Sequence, residues 1–251
     1  SMNFSREAVE QRTHKISSPN TKRRFKLQLI TIRILLVLSL FAACLMISIV
    51  YGAFRSIIDS APAIDEIQVS PQGYATTITD SQGKTLQYLV GRDANREYAV
   101  LDQIPSNLQN AFIAIEDERF WSHSGVDFHG ILRAFATGIM NGGDFNQGAS
   151  TLTQQLLKNQ VFGGGEERTL FARLERKLQE QYLAVQLEKK YDKKQILEFY
   201  LNTINLGQNT LGVQAASKRY FNKDVSQLTL SECAVIAGIT QNPSAYNPIT
   251  H

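Results

Sequence analysis

Cysteine is scarce in this chain. Two occur in 251 residues, Cys44 inside an apolar run and Cys233 far downstream. No disulfide is expected from them, and they say little about redox compartment. A strong excess of one charge is also missing: 26 Lys and Arg stand against 23 Asp and Glu, a net of +3. Even that average misleads. Residues 1–26 hold seven Lys or Arg against Glu7 and Glu10, a net of +5, which leaves −2 for the rest. The basic balance belongs to a tail, so no nucleic-acid partner is expected. Internal repeats are absent. Ser1 ahead of Met2 has the form of an expression remnant and carries no weight. The length allows one sizeable domain with attachments.

What is present begins with residues 34–54, a run free of charge. At about 1.5 Å per residue it spans roughly 30 Å, the hydrocarbon thickness of a bilayer. A cleaved signal peptide would have a shorter core and a small-residue cleavage site soon after it. Lys22, Arg23, Arg24, Lys26 and Arg33 flank the N-terminal side, while Arg55 and Asp59 cancel on the other. The positive-inside rule then places the tail in the cytoplasm and residues 55–251 outside. An outside domain has no ATP supply, so its substrates must arrive activated. The expected organisation is a basic tail at 1–26, a transmembrane helix at 27–54, a stalk and β-hairpin at 55–100, and a helical domain at 101–251. Pro62 and Pro71 mark the stalk.

The hairpin is expected from 75–80 and 84–90 around Ser81-Gln82-Gly83. From Pro105 the pattern is helical. Ser106 can cap a helix with Leu108, Ala111, Phe112 and Ile115 on one face. Phe128 to Met140 is a second helix, and 141–148 a loop. Thr151 with Gln154 matches a capping box for a third helix, which Gly163–Gly165 breaks. A long charged helix follows over about 167–190. Asp192 with Gln195, and Thr229 with Glu232, open two more. The fold class is mainly α, with one small β element.

The densest chemistry lies at Glu116-Asp117-Glu118-Arg119-Phe120-Trp121-Ser122-His123-Ser124-Gly125-Val126-Asp127. It follows an apolar run, 111–115. A carboxylate at the edge of a hydrophobic pocket can have its pKa raised toward neutrality, as a general acid or base requires. Read alone, the cluster is equally a helix end with solvated charges. On the third helix Thr151, Gln155 and Lys158 share one face, which suits an oxyanion or phosphate near free helix N–H groups. Alone, that too reads as a solvated polar face. Arg176 and Glu180 are spaced for an i,i+4 pair, by itself a common surface feature.

Together these segments resemble the bacterial peptidoglycan glycosyltransferases. Glu-Asp-x-x-Phe-x-x-His-x-Gly-x-Asp at 116–127 is similar to the family's first motif. Gly-x-Ser-Thr-x-Thr-Gln-Gln-x-x-Lys-Asn at 148–159 is similar to the second, and Arg-Lys-x-x-Glu at 176–180 to the third. Residues 196–202 and 232–248 resemble the fourth and fifth. The resemblance covers residues 101–250 in order. It departs between Lys158 and Arg176, where Gly163–Gly165 and 170–173 look inserted, so that Arg173 competes with Arg176 for the arginine role. Residues 205–209 also vary from the usual form. The family normally continues past Asn247-Pro248, so the chain is expected to be the N-terminal part of a bifunctional penicillin-binding protein.

The resemblance implies a lysozyme-like helical domain that polymerises lipid II by inverting glycosyl transfer, with lipid II, the growing lipid-linked glycan and the membrane as partners. Other cell-wall synthesis and division proteins are further candidates. Glu116 would be the base that takes the acceptor's 4-hydroxyl proton, with Phe112 and Ile115 as its apolar flank. Lys158 and Arg176 would stabilise the leaving pyrophosphate, and Glu180, the second catalytic carboxylate, would sit near it and orient the cations or a metal. Ser150, Thr151 and Gln155 would position sugar and phosphate. Asp117 and His123 would support the first motif, with Phe120 packed beside the site. Asn159 and Lys177 complete the substrate-binding set. A divalent cation, magnesium or manganese, is compatible with this chemistry; the metal ligands are unknown. Helix 128–140 either packs as an ordinary core helix or dips into the outer leaflet. The rival readings are a lysozyme-like lytic glycosidase and a membrane-anchored, non-catalytic scaffold.

Overall fold

In the computed structural model of the protein, residues 5–71, 76–82, 85–89, 97–141, 148–165, 167–208 and 210–249 are described. The chain divides into two units, at Ser1–Asp59 and Ser60–His251.

The first unit is helical throughout its described part, with α1 at Arg6–Ser17 and α2 at Pro19–Asp59. α2 runs well past the apolar stretch at both ends. Nothing between Pro19 and Pro62 breaks it, and the basic residues before the run are good helix formers. None of its residues is buried. Leu35, Leu36, Val37, Leu40, Phe41 and Ile47 all face outward. A helix apolar all round is at home in lipid. Among the described residues it is the one helix long and apolar enough to cross a membrane.

The second unit opens with a segment that is no free stalk. Val69 is fully buried and Ile67 nearly so, both in the domain core. Two short strands, β1 at Thr76–Thr79 and β2 at Thr85–Leu89, pair antiparallel with a register shift at Ile78/Thr79. The helices follow: α3 at Ser106–Glu116, α4 at Phe128–Met140, α5 at Leu152–Gln160 and α6 at Leu170–Lys190. Then come α7 at Lys193–Thr203, α8 at Val213–Phe221 and α9 at Leu230–Ile239.

α5 lies at the centre, packed on α6 and α7, while α3 packs on α9. Leu152, Leu156 and Leu157 of α5 meet Leu183 and Leu187 of α6 and Leu197 and Leu201 of α7 in one buried cluster. Capping chemistry sets several ends. Asp192 with Gln195 and Thr229 with Glu232 both form complete capping boxes. Thr151 caps α5 by accepting from the Gln154 N–H, but the box is not closed. The Gln154 side chain instead donates to the Gly125 carbonyl at 3.3 Å. Ser106 does not cap α3. It is the first helical residue, and Pro105 ahead of it supplies only its carbonyl, to Leu108 and Gln109.

α8 went unread in the sequence because its N-cap is Gly212, which has no side chain to signal a start. The loop expected at 141–148 lies mostly outside the described residues. α4 is turned inside out relative to a core helix: Phe128, Leu132, Phe135 and Ile139 are 58–71% exposed, and its buried positions are Gly130 and Gly138.

Candidate active site

The last turn of α3 sends two adjacent carboxylates different ways. Asp117 leaves the helix as its C-cap and turns inward. It accepts from His123 Nε2 at 2.9 and 3.0 Å and from the Leu152 N–H at 3.0 Å. That amide is one of the free donors at the start of α5, so Asp117 ties the end of one helix to the start of another. His123 Nδ1 accepts from the Gly125 N–H at 3.2 Å, which leaves Nε2 as the donor to Asp117.

Gly125 closes this loop with φ +91°, a backbone region that favours glycine. A Cβ there would sit 2.6 Å from the Ala184 carbonyl atoms of α6. Its own carbonyl accepts from Thr151 Oγ1 at 2.8 Å. Phe120 is fully buried, with Lys193 Nζ 4.4 Å from its ring centre. Asp117 and His123 support this loop and Phe120 packs beneath it, while Thr151, expected to position sugar and phosphate, gives its hydroxyl hydrogen to the Gly125 carbonyl.

Glu116 points the other way. Oε2 accepts from Gln155 Nε2 at 2.8 Å, and Oε1 from Thr240 Oγ1 at 2.6 Å and Gln241 Nε2 at 3.3 Å. Two cavities open beside it. One, of about 110 Å³, is lined by Glu116, Arg119, Arg133, Ser150 and others. The second, of about 290 Å³, is lined by Ile115, Glu116, Ser150, Gln155, Thr240 and Gln241. The apolar flank is only half as expected: Phe112 is fully buried, but Ile115 is exposed. What surrounds the carboxylate is mainly neutral hydrogen-bond donors.

Ser150, which borders both cavities, leads to a cationic cluster. Lys177 Nζ donates to Ser150 Oγ at 3.0 Å and lies 2.9 Å from Glu180 Oε2. That approach is an ion pair without hydrogen-bond alignment, since Oε2 has no hydrogen-bond partner. Arg176 donates through Nη1 to Glu180 and through Nε to Glu167 at 2.8 Å. Burial works against the charge of Arg176, but these two carboxylates outweigh it and raise its pKa. Arg173, the competing arginine, is exposed and, among the described residues, donates to the Glu167 carbonyl at 3.1 Å. The inserted turn reaches the cluster at Gly165, φ +83°, where a Cβ would meet Arg176 Cζ and Lys158 Cε at 3.0 Å each. Glu180 itself has no exposed surface. It lies against Arg176 and Lys177, where a carboxylate expected to orient the cations would sit. Asn159 is half-buried on the last turn of α5 and joins neither group.

Three neighbours of Glu116 were not singled out in the sequence: Tyr200, Thr240 and Gln241. Tyr200 is fully buried and donates to Gln155 Oε1 at 3.3 Å. Burial, then the charges of Glu116 and Asp117, push its phenol well above the ordinary value. All three fall inside the segments that resemble the fourth and fifth motifs, but those residues approach Glu116 only through the fold. In the fourth segment, Asn202 clamps Ala99, accepting from its N–H and donating to its carbonyl at 2.9 Å each. Its role is structural.

A half-buried glutamate between two cavities, with a cationic cluster beyond Ser150, sits on a mainly helical, lysozyme-like domain. The family model described as Transglycosylase matches residues 82–251, and the chain belongs to that family. Among its relatives is penicillin-binding protein 1A of Clostridium tetani, 40% identical over 230 residues, covering 90% of this chain and 27% of the relative. The protein of the same name from Clostridium acetobutylicum is 50% identical over 161 residues, covering 62% and 20%. That of Escherichia coli K12 is 40% identical over 219 residues, covering 87% and 25%. The chain spans about a quarter of the length of these curated relatives. One N-terminal apolar helix together with these relatives fits a single-pass membrane protein.

Proposed function

We propose that this chain is a peptidoglycan glycosyltransferase that polymerises lipid II with inversion. The observation that carries the reading is Glu116, a carboxylate open to two cavities and separated by Ser150 from the Lys158–Arg176–Lys177 cluster. A sugar hydroxyl is a weak nucleophile, so a base must take its proton as the bond forms. Glu116 takes the proton of the acceptor 4-hydroxyl while that oxygen attacks C1 of the growing glycan. The bond from C1 to the lipid pyrophosphate breaks on the opposite face. The leaving group carries away the electron pair, and Lys158, Arg176 and Lys177 neutralise it, the guanidinium able to bind two oxygens at once. Gln155 and Ser150 position the reactants. Glu180 keeps the cations in place.

The donor set does not fit a resident divalent cation. Glu180 faces two cations that would repel one, and among the described residues no three His, Cys, Asp or Glu side chains converge. The charge compensation is therefore assigned to the basic side chains.

The basic tail lies in the cytoplasm and the domain outside. The outward apolar face of α4 enters the outer leaflet, where a lipid-linked substrate resides. A lytic glycosidase has no use for a pyrophosphate clamp or an uncleaved anchor, and a scaffold has none for Glu116. The test is incubation of the detergent-solubilised protein with labelled lipid II, beside Glu116→Gln. Polymer from wild type and none from the variant is expected. Polymer from both, or shortening of added glycan, overturns the reading.

A further inference from the structure

The two oxygens of Glu116 keep different company. Oε2 faces Gln155 Nε2, and the orientation of that amide is fixed from behind. The buried Tyr200 hydroxyl, held protonated, donates to Gln155 Oε1 and leaves Nε2 for Glu116. An amide nitrogen donates and does not accept. A proton on Oε2 finds no acceptor there. Gln241 Nε2, near Oε1, has the same limit.

Thr240 is different in kind. It ends α9, and its hydroxyl oxygen lies 2.6 Å from Glu116 Oε1 and 2.8 Å from the Ala237 carbonyl oxygen. One proton has two acceptors within reach, and a hydroxyl oxygen can itself accept. With Glu116 charged, the proton points to Oε1. With Glu116 neutral, it turns to the Ala237 carbonyl, and Thr240 Oγ1 accepts from the carboxyl proton on Oε1. The count of protons on Thr240 never changes; only the direction of its O–H does.

We infer that Thr240 is a positioning residue that reverses its hydrogen bond as Glu116 gains the acceptor's proton, so that the base stays held in both protonation states. This rests on Glu116 being the base proposed above. The ionisable groups near Glu116 are Asp117, Glu118, Arg119, Asp127 and Arg133, which line the smaller cavity, and Tyr200. A change at Thr240 alters the charge of none of them.

The test uses the full chain in detergent, as wild type, Thr240→Val and Thr240→Ser. Polymerisation of labelled lipid II gives kcat and KM across pH. Carbon-13 in the glutamate carboxyls, with the Glu116 signal identified by its loss in Glu116→Gln, gives the titration of Glu116 directly. Valine keeps the shape and removes the hydroxyl. Its kcat should fall about 10- to 100-fold with KM little changed, because the base is no longer held in line with the acceptor proton. Its acid limb and its carboxyl midpoint should both move up, because the charged form loses the stronger bond. Serine should restore all three. Thr240→Ala carries the same test if valine unfolds the domain. An unchanged valine variant, or a serine variant as impaired as valine, overturns the inference. Failure of wild type to polymerise lipid II would sink the proposed function alone, since the carboxyl titration still decides what Thr240 does.

Discussion

Glu116 and Glu180 are the same side chain in opposite surroundings. Glu116 ends its helix, is half-buried, and is met by Gln155, Thr240 and Gln241, all uncharged. Glu180 sits inside α6 with no exposed surface, met by Arg176 and Lys177. A group that must gain and lose a proton needs partners that tolerate both states. A group that must hold cations in place needs permanent charge close by and no route to solvent. Placement, rather than residue type, divides the labour.

The sharpest way to break this comparison is Glu116→Gln. Polymerisation should fall by ~10³-fold or more, since general-base chemistry and positioning are lost together. Thermal unfolding should scarcely move. Next in size is Arg176→Ala, for which turnover should drop by roughly 10²- to 10³-fold, the cost of removing one preorganised stabiliser of developing charge. Arg173→Ala, a surface change, should stay within a factor of two in the same assay. Equal losses from the two arginines would show that the wrong one has been placed in the cluster.

Glu180→Gln should appear in stability. Breaking a buried pair leaves Arg176 and Lys177 without their shared counter-charge, a loss of about 3 kcal/mol, read as a lowered denaturant midpoint. If Glu180→Gln melts with wild type, its role is chemical after all.

Glu232 supplies a third case with the smallest effect. Lys223, then the Thr229 N–H, hold its carboxyl down to about 2 from an ordinary 4.5. A lowered folded value means that stabilisation is complete above about pH 4.5 and lost as pH falls toward 2. The pH dependence of stability in that window should flatten in Glu232→Gln, whose small loss of stability shows at pH 7 and vanishes as pH falls toward 2.

The local chemistry of the fold was legible in advance. Capping residues announced α7 and α9 because Asp192 and Thr229 carry their signal in their own side chains. α8 was silent because its start is a glycine. The α4 stripe was visible, but periodicity alone cannot say whether an apolar face meets protein or lipid. The site was legible as motifs and not as geometry. Glu116, Gln155, Lys158 and Arg176 could be named. That Thr240 would lie against Glu116, 124 residues away, depends on α3 packing on α9. That Glu167 would pair with Arg176 depends on how the inserted turn folds back.

Gly125 shows how a position can be indispensable while doing no chemistry. Its missing side chain would point at the α6 backbone at Ala184 and Val185, one turn beyond Glu180, while its carbonyl accepts from Thr151 at the start of α5. A single added methyl would drive the loop and α6 apart and strain the hold on Thr151. In a random-mutagenesis map this residue should therefore stand out as sharply as the proposed base, Glu116. Anyone sorting such a map into reagents and scaffolding would have to measure unfolding beside turnover to tell the empty space from the proton acceptor.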